Sequence, residues 1–230
     1  MNKPDVGVII VAAGTSSRTE GAELKQFRWV GGKPMLLHSV QTFQERKDVR
    51  MVVVVLPKMY AGDPPPWLFQ CDTDRLLVSV GGKERSDSVR HGLEDLTPDA
   101  EIVAVHDAAR PFAPETMIDR VIREARNGHG AVPGLPVVDT LKQVDPDRVV
   151  IDTLERNSVW RIQTPQAFPR EMLEKAHQEA LFANVQSTDD AALCERLGYE
   201  VVIVSGSEKA MKITTEEDFS RAEALSIWSG

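Results

Sequence analysis

The run Ala12-Ala13-Gly14-Thr15-Ser16-Ser17-Arg18 follows an apolar, strand-like stretch. Small residues directly behind a buried strand let backbone N–H groups come close to an anion, as phosphate-binding loops do. Arg18 and Lys25 follow at a spacing that lets both fold back over such a loop. The pattern matches neither the P-loop nor the G-x-G-x-x-G fingerprint, so ATPase and dinucleotide readings lose support. A tight turn carrying solvated cations fits the same residues. A second candidate is Gly81-Gly82-Lys83-Glu84-Arg85-Ser86-Asp87-Ser88, between another buried run and a helical pattern. It could bring amides, Asp87 and Ser88 against a base or ribose, although Ser86 and Asp87 also suit a helix cap.

The third candidate is His106-Asp107-Ala108-Ala109-Arg110-Pro111, at the end of a strand-like run, where open α/β sheets place ligands. Asp107 could ligate Mg²⁺ or accept from a ribose or polyol hydroxyl, and Arg110 could fork onto a phosphate. The alternative is an Asp107–Arg110 surface pair of little energetic weight. His106 reads as a packed histidine, not a base. Lys212, within Ala210-Met211-Lys212-Ile213, is a lysine in an apolar stretch, and a buried ammonium needs an anionic partner. It faces a phosphate if it sits at a strand end near Gly14, and water if it points outward. Cys71 and Cys194 lack metal-ligand spacing and read as small buried hydrophobes.

The elements that must position these groups alternate. Strand-like runs at Val6 to Ala12, Met51 to Leu56, Arg75 to Val80 and Glu101 to His106 are continuous and apolar, as in strands buried on both faces. Helical patterns cover Pro34 to Glu45, Ser86 to Leu96 and Pro114 to Arg126, with a short helix around Trp67 to Cys71. The order βαβα predicts a doubly wound α/β sheet with helices on both faces. Val137 to Thr164 breaks the rhythm with two polar strand-like pieces around Asp145-Pro146-Asp147. It reads either as a surface excursion or as an inserted arm reaching a second subunit. Helices are then expected at Arg170 to Phe182, Thr188 to Leu197 and Thr215 to Ile227, with strands at Glu200 to Val204 and around Met211 to Ile213. The start Ser187-Thr188-Asp189-Asp190 reads as a helix cap, and the whole chain as a single domain.

The chain has 230 residues and a formal net charge of −8, from 27 Lys+Arg and 35 Asp+Glu. An acidic total argues against a nucleic-acid partner. No apolar run reaches the roughly 18 residues of a membrane helix, and no signal peptide precedes the first strand, so a membrane partner is not expected. Two dispersed cysteines suggest a reducing, cytoplasmic setting. If the chain handles phosphates, its basic residues must be concentrated in one place.

Taken in order, these stretches resemble the family of 2-C-methyl-D-erythritol 4-phosphate cytidylyltransferases. The resemblance rests on Ala12-Ala13-Gly14 with Arg18, Lys25-Gln26-Phe27, Gly81-Gly82 with Glu84-Arg85 and Asp87-Ser88-Val89, and His106 through Pro111. It continues through Asp139-Thr140, Arg156-Asn157, Trp160, Thr164-Pro165-Gln166, Thr188-Asp189 and Lys212-Ile213-Thr214. It implies a Rossmann-like sheet of the nucleotide-diphospho-sugar transferase type, with residues 137–164 as a protruding β-arm that builds a homodimer. It implies transfer of CMP from CTP to the phosphate of 2-C-methyl-D-erythritol 4-phosphate with release of pyrophosphate, a step of non-mevalonate isoprenoid biosynthesis, with Mg²⁺ or another divalent cation held mainly by the CTP phosphates and water, and Asp107 as its one candidate protein ligand. Arg18 and Lys25 would stabilise the transition state, and Arg156 and Lys212 would position the substrate phosphate. Asp107, Arg110, Thr140 and Thr164 would also meet the substrate, with Thr140, Arg156 and Thr164 coming from the other subunit. Ala12, Ala13, Gly14, Gly81, Gly82, Asp87, Ser88, Asp107 and Ala108 would hold CTP. The rival readings are a cytidylyltransferase for ribitol 5-phosphate and a non-catalytic nucleotide-binding protein on this fold.

Overall fold

The computed structural model describes residues 3–14 and 24–227. Arg18 lies outside the described residues. In chain order the strands are β1 (Val6–Val11), β2 (Trp29–Val30), β3 (Lys33–Pro34), β4 (Val49–Leu56), β5 (Leu76–Val80), β6 (Ile102–Asp107), β7 (Gly130–Pro136), β8 (Leu141–Val144), β9 (Val150–Leu154), β10 (Trp160–Ile162), β11 (Gln166–Pro169) and β12 (Val201–Ser205). The helices are α1 (Met35–Gln44), α2 (Lys58–Ala61), α3 (Arg85–Asp95), α4 (Glu115–Arg126), α5 (Arg170–Phe182), α6 (Ala191–Arg196) and α7 (Glu216–Ile227).

The main sheet runs β5-β4-β1-β6-β11-β7, with β10 and β12 also paired to β7. β5, β4, β1 and β6 are mutually parallel, whereas β11 is antiparallel to β6. Side chains alternate across a strand, and β1 shows what this does. Val6, Val8 and Ile10 pack with Leu36, Val40 and Phe43 of α1 and with Met117, Ile118 and Val121 of α4. Ile9 points the other way, into Val89 and Leu93 of α3, Leu173 of α5 and Leu193 of α6. Each of these fully buried aliphatic side chains contributes about 1.5–3 kcal/mol. The two-sided burial explains why β1 and residues Met51 to Leu56 of β4 are apolar without interruption, while Arg50 at the start of β4 is exposed. Gly31 and Gly32, at φ +57° and +80°, turn β2 into β3 through the left-handed region that two-residue hairpins require.

The arm is a two-stranded ribbon. β8 and β9 pair Leu141 with Leu154 and Lys142 with Thr153, and among the described residues they pair with no other strand. Val150 and Ile151 are more than half exposed, at 54% and 61%.

Four expectations need correction. Met211 to Ile213 is an extended segment outside any ladder, held by single bonds such as Ile213 N to Ala109 O (2.8 Å). The helix expected from Thr188 starts at Ala191, because Gln166 Oε1 accepts from the amides of Asp190 and Ala191 and so caps it there. Residues 160–162 of the expected arm are β10, paired to β7, so the arm ends before Trp160. β7 and β11 were not expected as strands at all; Pro133, Gly134 and Pro136 in the first, and Pro169 in the second, hide them.

Candidate active site

The carboxyl ends of the parallel strands meet at one edge of the sheet. β1 runs into Ala12–Gly14, β5 into Gly81–Gly82, and β6 ends on Asp107. The crest is tied together by its own backbone: Ala12 N donates to Val55 O (2.9 Å), Gly81 N to Leu56 O (2.7 Å) and Ala108 N to Val11 O (3.2 Å). Gln26, nearly buried, donates from Nε2 to the carbonyls of Ala12 (2.6 Å) and Gly14 (3.4 Å) and so fixes the first loop. Gly81 is required by close approach: a Cβ there would lie 2.2 Å from the Cβ of Ala13. Asp87 and Ser88 shape the second turn. Asp87 Oδ2 accepts from Glu84 N (3.1 Å), while Ser88 Oγ accepts from Gly82 N and donates to Glu84 O, both at 3.2 Å. The amides of Ala12, Gly81, Gly82 and Ala108 are therefore engaged within the protein, and these residues set the shape of the crest.

Asp107 lies at the centre of the charge. Lys212 Nζ donates to its Oδ2 at 2.8 Å, Arg85 Nε faces Oδ1 at 3.5 Å, and Arg110 Nε is 3.9 Å from Oδ2. Burial pushes the Asp107 carboxyl up, but Arg85, Lys212 and Arg110 outweigh it and hold the group well below the usual carboxylate range. Its neighbour His106 is fully buried, and burial lowers its imidazole to about 4. Its Nε2 meets the carbonyl of Arg110 (3.1 Å), which can only accept, so Nε2 carries the proton and Nδ1 accepts from Thr164 Oγ1 (3.2 Å). Thr164 Oγ1 in turn accepts from Asp107 N at 3.0 Å. His106 is thus a satisfied core histidine, as expected. Thr164, expected at the site of another subunit, lies against Asp107 of its own chain, because β11 runs beside β6.

The segment carrying Lys212 is pinned from several sides. Gln163 brackets Ser207, donating to its carbonyl (2.8 Å) and accepting from its amide (3.0 Å). Arg110 Nη1 donates to Ala210 O (2.7 Å), and Lys25 Nζ donates to Ile213 O. Thr215 and Asp218 close α7 reciprocally: Asp218 Oδ2 accepts from Thr214 Oγ1 and from the amides of Thr214 and Thr215, and Thr215 Oγ1 accepts from Asp218 N. Burial raises the Asp218 carboxyl, but these donors more than offset it and bring it to about 2. Thr215 therefore caps α7. Arg110, expected to fork onto a phosphate, spends its terminal nitrogens on the carbonyls of Ala210 and Ile162.

Asp107, Arg110, Thr164 and Lys212 line one cavity of about 240 Å³ with Arg85 and Asp189. A wider cavity of about 730 Å³ shares Arg110 and Lys212 and adds Arg161, Lys209 and Arg221. This is the concentration of positive charge that an acidic chain would need. Thr140 and Arg156 line neither cavity; they sit exposed on the arm, where Arg156 donates to the carbonyl of Val138. Among the described residues no group of three or more His, Cys, Asp or Glu side chains could hold a metal ion.

Sequence reasoning missed Arg85 and Asp190. Arg85 Nη1 donates to Asp190 Oδ2 at 2.8 Å, and His177 Nε2 lies 3.0 Å from Asp190 Oδ1. Arg85 opens a helix and Asp190 precedes one, positions where charges usually meet water; nothing local distinguished them.

With this geometry in place, comparison with known proteins is decisive. The model of the family "2-C-methyl-D-erythritol 4-phosphate cytidylyltransferase" matches residues 6–226. The chain belongs to that family. Among its members, the enzyme of that name from Syntrophus aciditrophicus is 37% identical over 226 residues, covering 97% of this chain and 96% of that protein. The one from Streptomyces avermitilis is 41% identical over 228 residues, covering 94% and 90%. The crystal structure of the Thermus thermophilus 2-C-methyl-D-erythritol 4-phosphate cytidylyltransferase superposes with a TM-score of 0.81 at 34% identity, covering 97% of this chain and 99% of that one. Among the described residues of this cytidylyltransferase-family chain, no helix is long and apolar enough to cross a membrane.

Proposed function

We propose that this chain transfers CMP from CTP to 2-C-methyl-D-erythritol 4-phosphate, releasing pyrophosphate and yielding 4-diphosphocytidyl-2-C-methyl-D-erythritol for non-mevalonate isoprenoid biosynthesis. The observation that carries the proposal is the ring of Arg85, Arg110 and Lys212 around Asp107, beside the Ala12–Gly14 and Gly81–Gly82 loops, in a chain of this family. An acceptor phosphate oxygen attacks the α-phosphorus of CTP, the bond from that phosphorus to the bridging oxygen breaks, and pyrophosphate leaves. The nucleophile is already an oxyanion, so no general base is needed. The barrier lies in bringing two anions together and in the charge that develops on the leaving group, which fixed cations lower by positioning and electrostatics.

In this reading Lys25 and Arg18 attend the triphosphate, Lys212 holds the acceptor phosphate, and Asp107 takes hydroxyls of ribose or polyol. A divalent cation fits as a group carried mainly by CTP, since Asp107 is a single carboxylate already faced by three cations, and one or two carboxylates are what Mg²⁺ ordinarily takes beside phosphates. When bound it would neutralise phosphate charge. Thr140 and Arg156 would reach the site of a second copy, making the enzyme a homodimer. The exposed ribbon supports this, because a lone two-stranded hairpin is marginal in water. Pyrophosphate release with CTP, Mg²⁺ and either methylerythritol phosphate or ribitol 5-phosphate tests the proposal. Release with the first acceptor is expected; preference for ribitol phosphate, or silence despite CTP binding, would overturn it.

A further inference from the structure

Asp107 presents its two carboxylate oxygens to different cations. Oδ2 faces Lys212 at 2.8 Å, whereas Oδ1 faces Arg85 at 3.5 Å. Lys212 is almost half exposed, at 46% of its side chain, and free to change partner. Arg85 is not: its guanidinium is clamped at 2.8 Å to Asp190, whose side chain is 1% exposed and held from the far side by His177 at 3.0 Å. Asp190 is in turn fixed through its backbone amide, which donates to Gln166 Oε1 (3.0 Å) on the strand that also brings Thr164 to Asp107. Arg85 thus joins a buried anchor to the carboxylate that faces all three cations.

We propose that Arg85 is a positioning residue for the transferase reaction: held by Asp190, it fixes the Asp107 carboxylate so that Lys212 can leave it for the acceptor phosphate without Asp107 following. Without Arg85, Asp107 keeps only the half-exposed Lys212 as a close partner, because the Nε of Arg110 stays 3.9 Å away while its Nη atoms are committed to backbone carbonyls. The carboxylate then competes with the substrate for Lys212. With Arg85 in place, Oδ1 keeps its ion-pair partner 3.5 Å away when Lys212 leaves Oδ2, and Oδ2 can then accept from a ligand hydroxyl. Arg85 acts through Asp107, and Asp190 acts through Arg85.

This inference rests on the proposed function, with Asp107 at the substrate. It is tested by a kinetic double-mutant cycle on the full chain, reading pyrophosphate release at saturating CTP and varied methylerythritol phosphate. Arg85→Gln should lower kcat/KM for the acceptor roughly tenfold to a hundredfold, the size of loss seen when a group supporting a ligand-binding residue is removed. Arg85→Lys should recover most of it. On an Asp107→Asn background the same Arg85→Gln change should cost less than about twofold, because the group through which Arg85 acts is gone. Equal losses on both backgrounds would overturn the inference, as would near-wild-type kinetics of Arg85→Gln. A fully active Asp107→Asn enzyme would remove its premise and sink it too. A wild type silent with both acceptors would mark failure of the proposed function itself, and the inference would fall with it. If Arg85→Gln does not fold, because Asp190 is left buried without its guanidinium, Arg85→Gln combined with Asp190→Asn removes both charges of the pair, and the same cycle is run with that variant.

Discussion

Lys25 and Lys212 rest on partners within the protein: the first donates to the carbonyl of Ile213, the second to the carboxylate of Asp107. Both are hydrogen bonds of a charged ammonium, which contribute about 1.5–3 kcal/mol at most and less where, as at the half-exposed Lys212, water screens them. In the transition state the same ammonium would meet charge that the ground state lacks. Lys25→Ala should therefore lower kcat by roughly 10²–10³-fold. Its melting temperature should move by only a few degrees, at about 2–4 °C per kcal/mol for a chain of this size. Near-full turnover with CTP would remove Lys25 from the chemistry. His106 gives the residue scale a pH signature. Burial holds its imidazole neutral down to about 4, against an ordinary 6.5. Between those values the unfolded chain binds a proton that the folded chain refuses, so stability falls as pH drops from about 6.5 towards 4, by a few kcal/mol in all. Urea unfolding at pH 7 and pH 4.5 should show the loss, and His106→Gln should flatten it.

At the scale of elements, the crest depends on two loops closing over the strand ends. Gly81→Ala would place a Cβ 2.2 Å from the Cβ of Ala13 and 3.2 Å from Leu56 O. Overpacking of this kind costs about 1–3 kcal/mol. The variant should melt several degrees lower, and its KM for CTP should rise more than tenfold; a variant with unchanged KM would show that loop spacing does not set the nucleotide pocket. The same elements explain what could be read from sequence. β1 and the Met51–Leu56 stretch of β4 were legible because both faces are buried and the run is apolar without a break, and α4 because Met117, Ile118, Val121, Ile122 and Ala125 recur at helical spacing. β7 was not, since Pro133 and Pro136 are local signals against a strand, and only pairing with β12, β10 and β11 overrides them. The site divides in the same way. Asp107 and Gly81 declared themselves by standing at strand ends. Arg85, Gln163 and Gln166 take their meaning from partners 105, 44 and 24 residues away, distances at which local pattern is blind.

For the whole molecule, the net charge of −8 and the basic cavities are two faces of one distribution. Arg85, Arg110, Arg161, Lys209, Lys212 and Arg221 gather at the cavities, and the acidic surplus covers the rest. The arm stands apart from both, exposing Val150, Ile151 and the side chain of Arg156. Under the proposed dimer, Arg156 completes the site of the neighbouring copy. Two inactive variants then test the arrangement together. Lys25→Ala damages a subunit's own site, and Arg156→Ala damages its neighbour's. Mixed after subunit exchange, the pair should recover up to about half the wild-type turnover per heterodimer, since one of its two sites is intact. Two inactive preparations that stay inactive on mixing would place Arg156 in its own subunit's site or outside catalysis altogether.

If that exposed ribbon builds the proposed dimer, it carries a consequence for inheritance. A cell with one allele damaged in the arm and another damaged in the loop would grow, although neither allele alone supports it. A cell with one wild-type allele and one arm allele would have mixed dimers in which the normal polypeptide holds the broken site and the mutant polypeptide holds the working one.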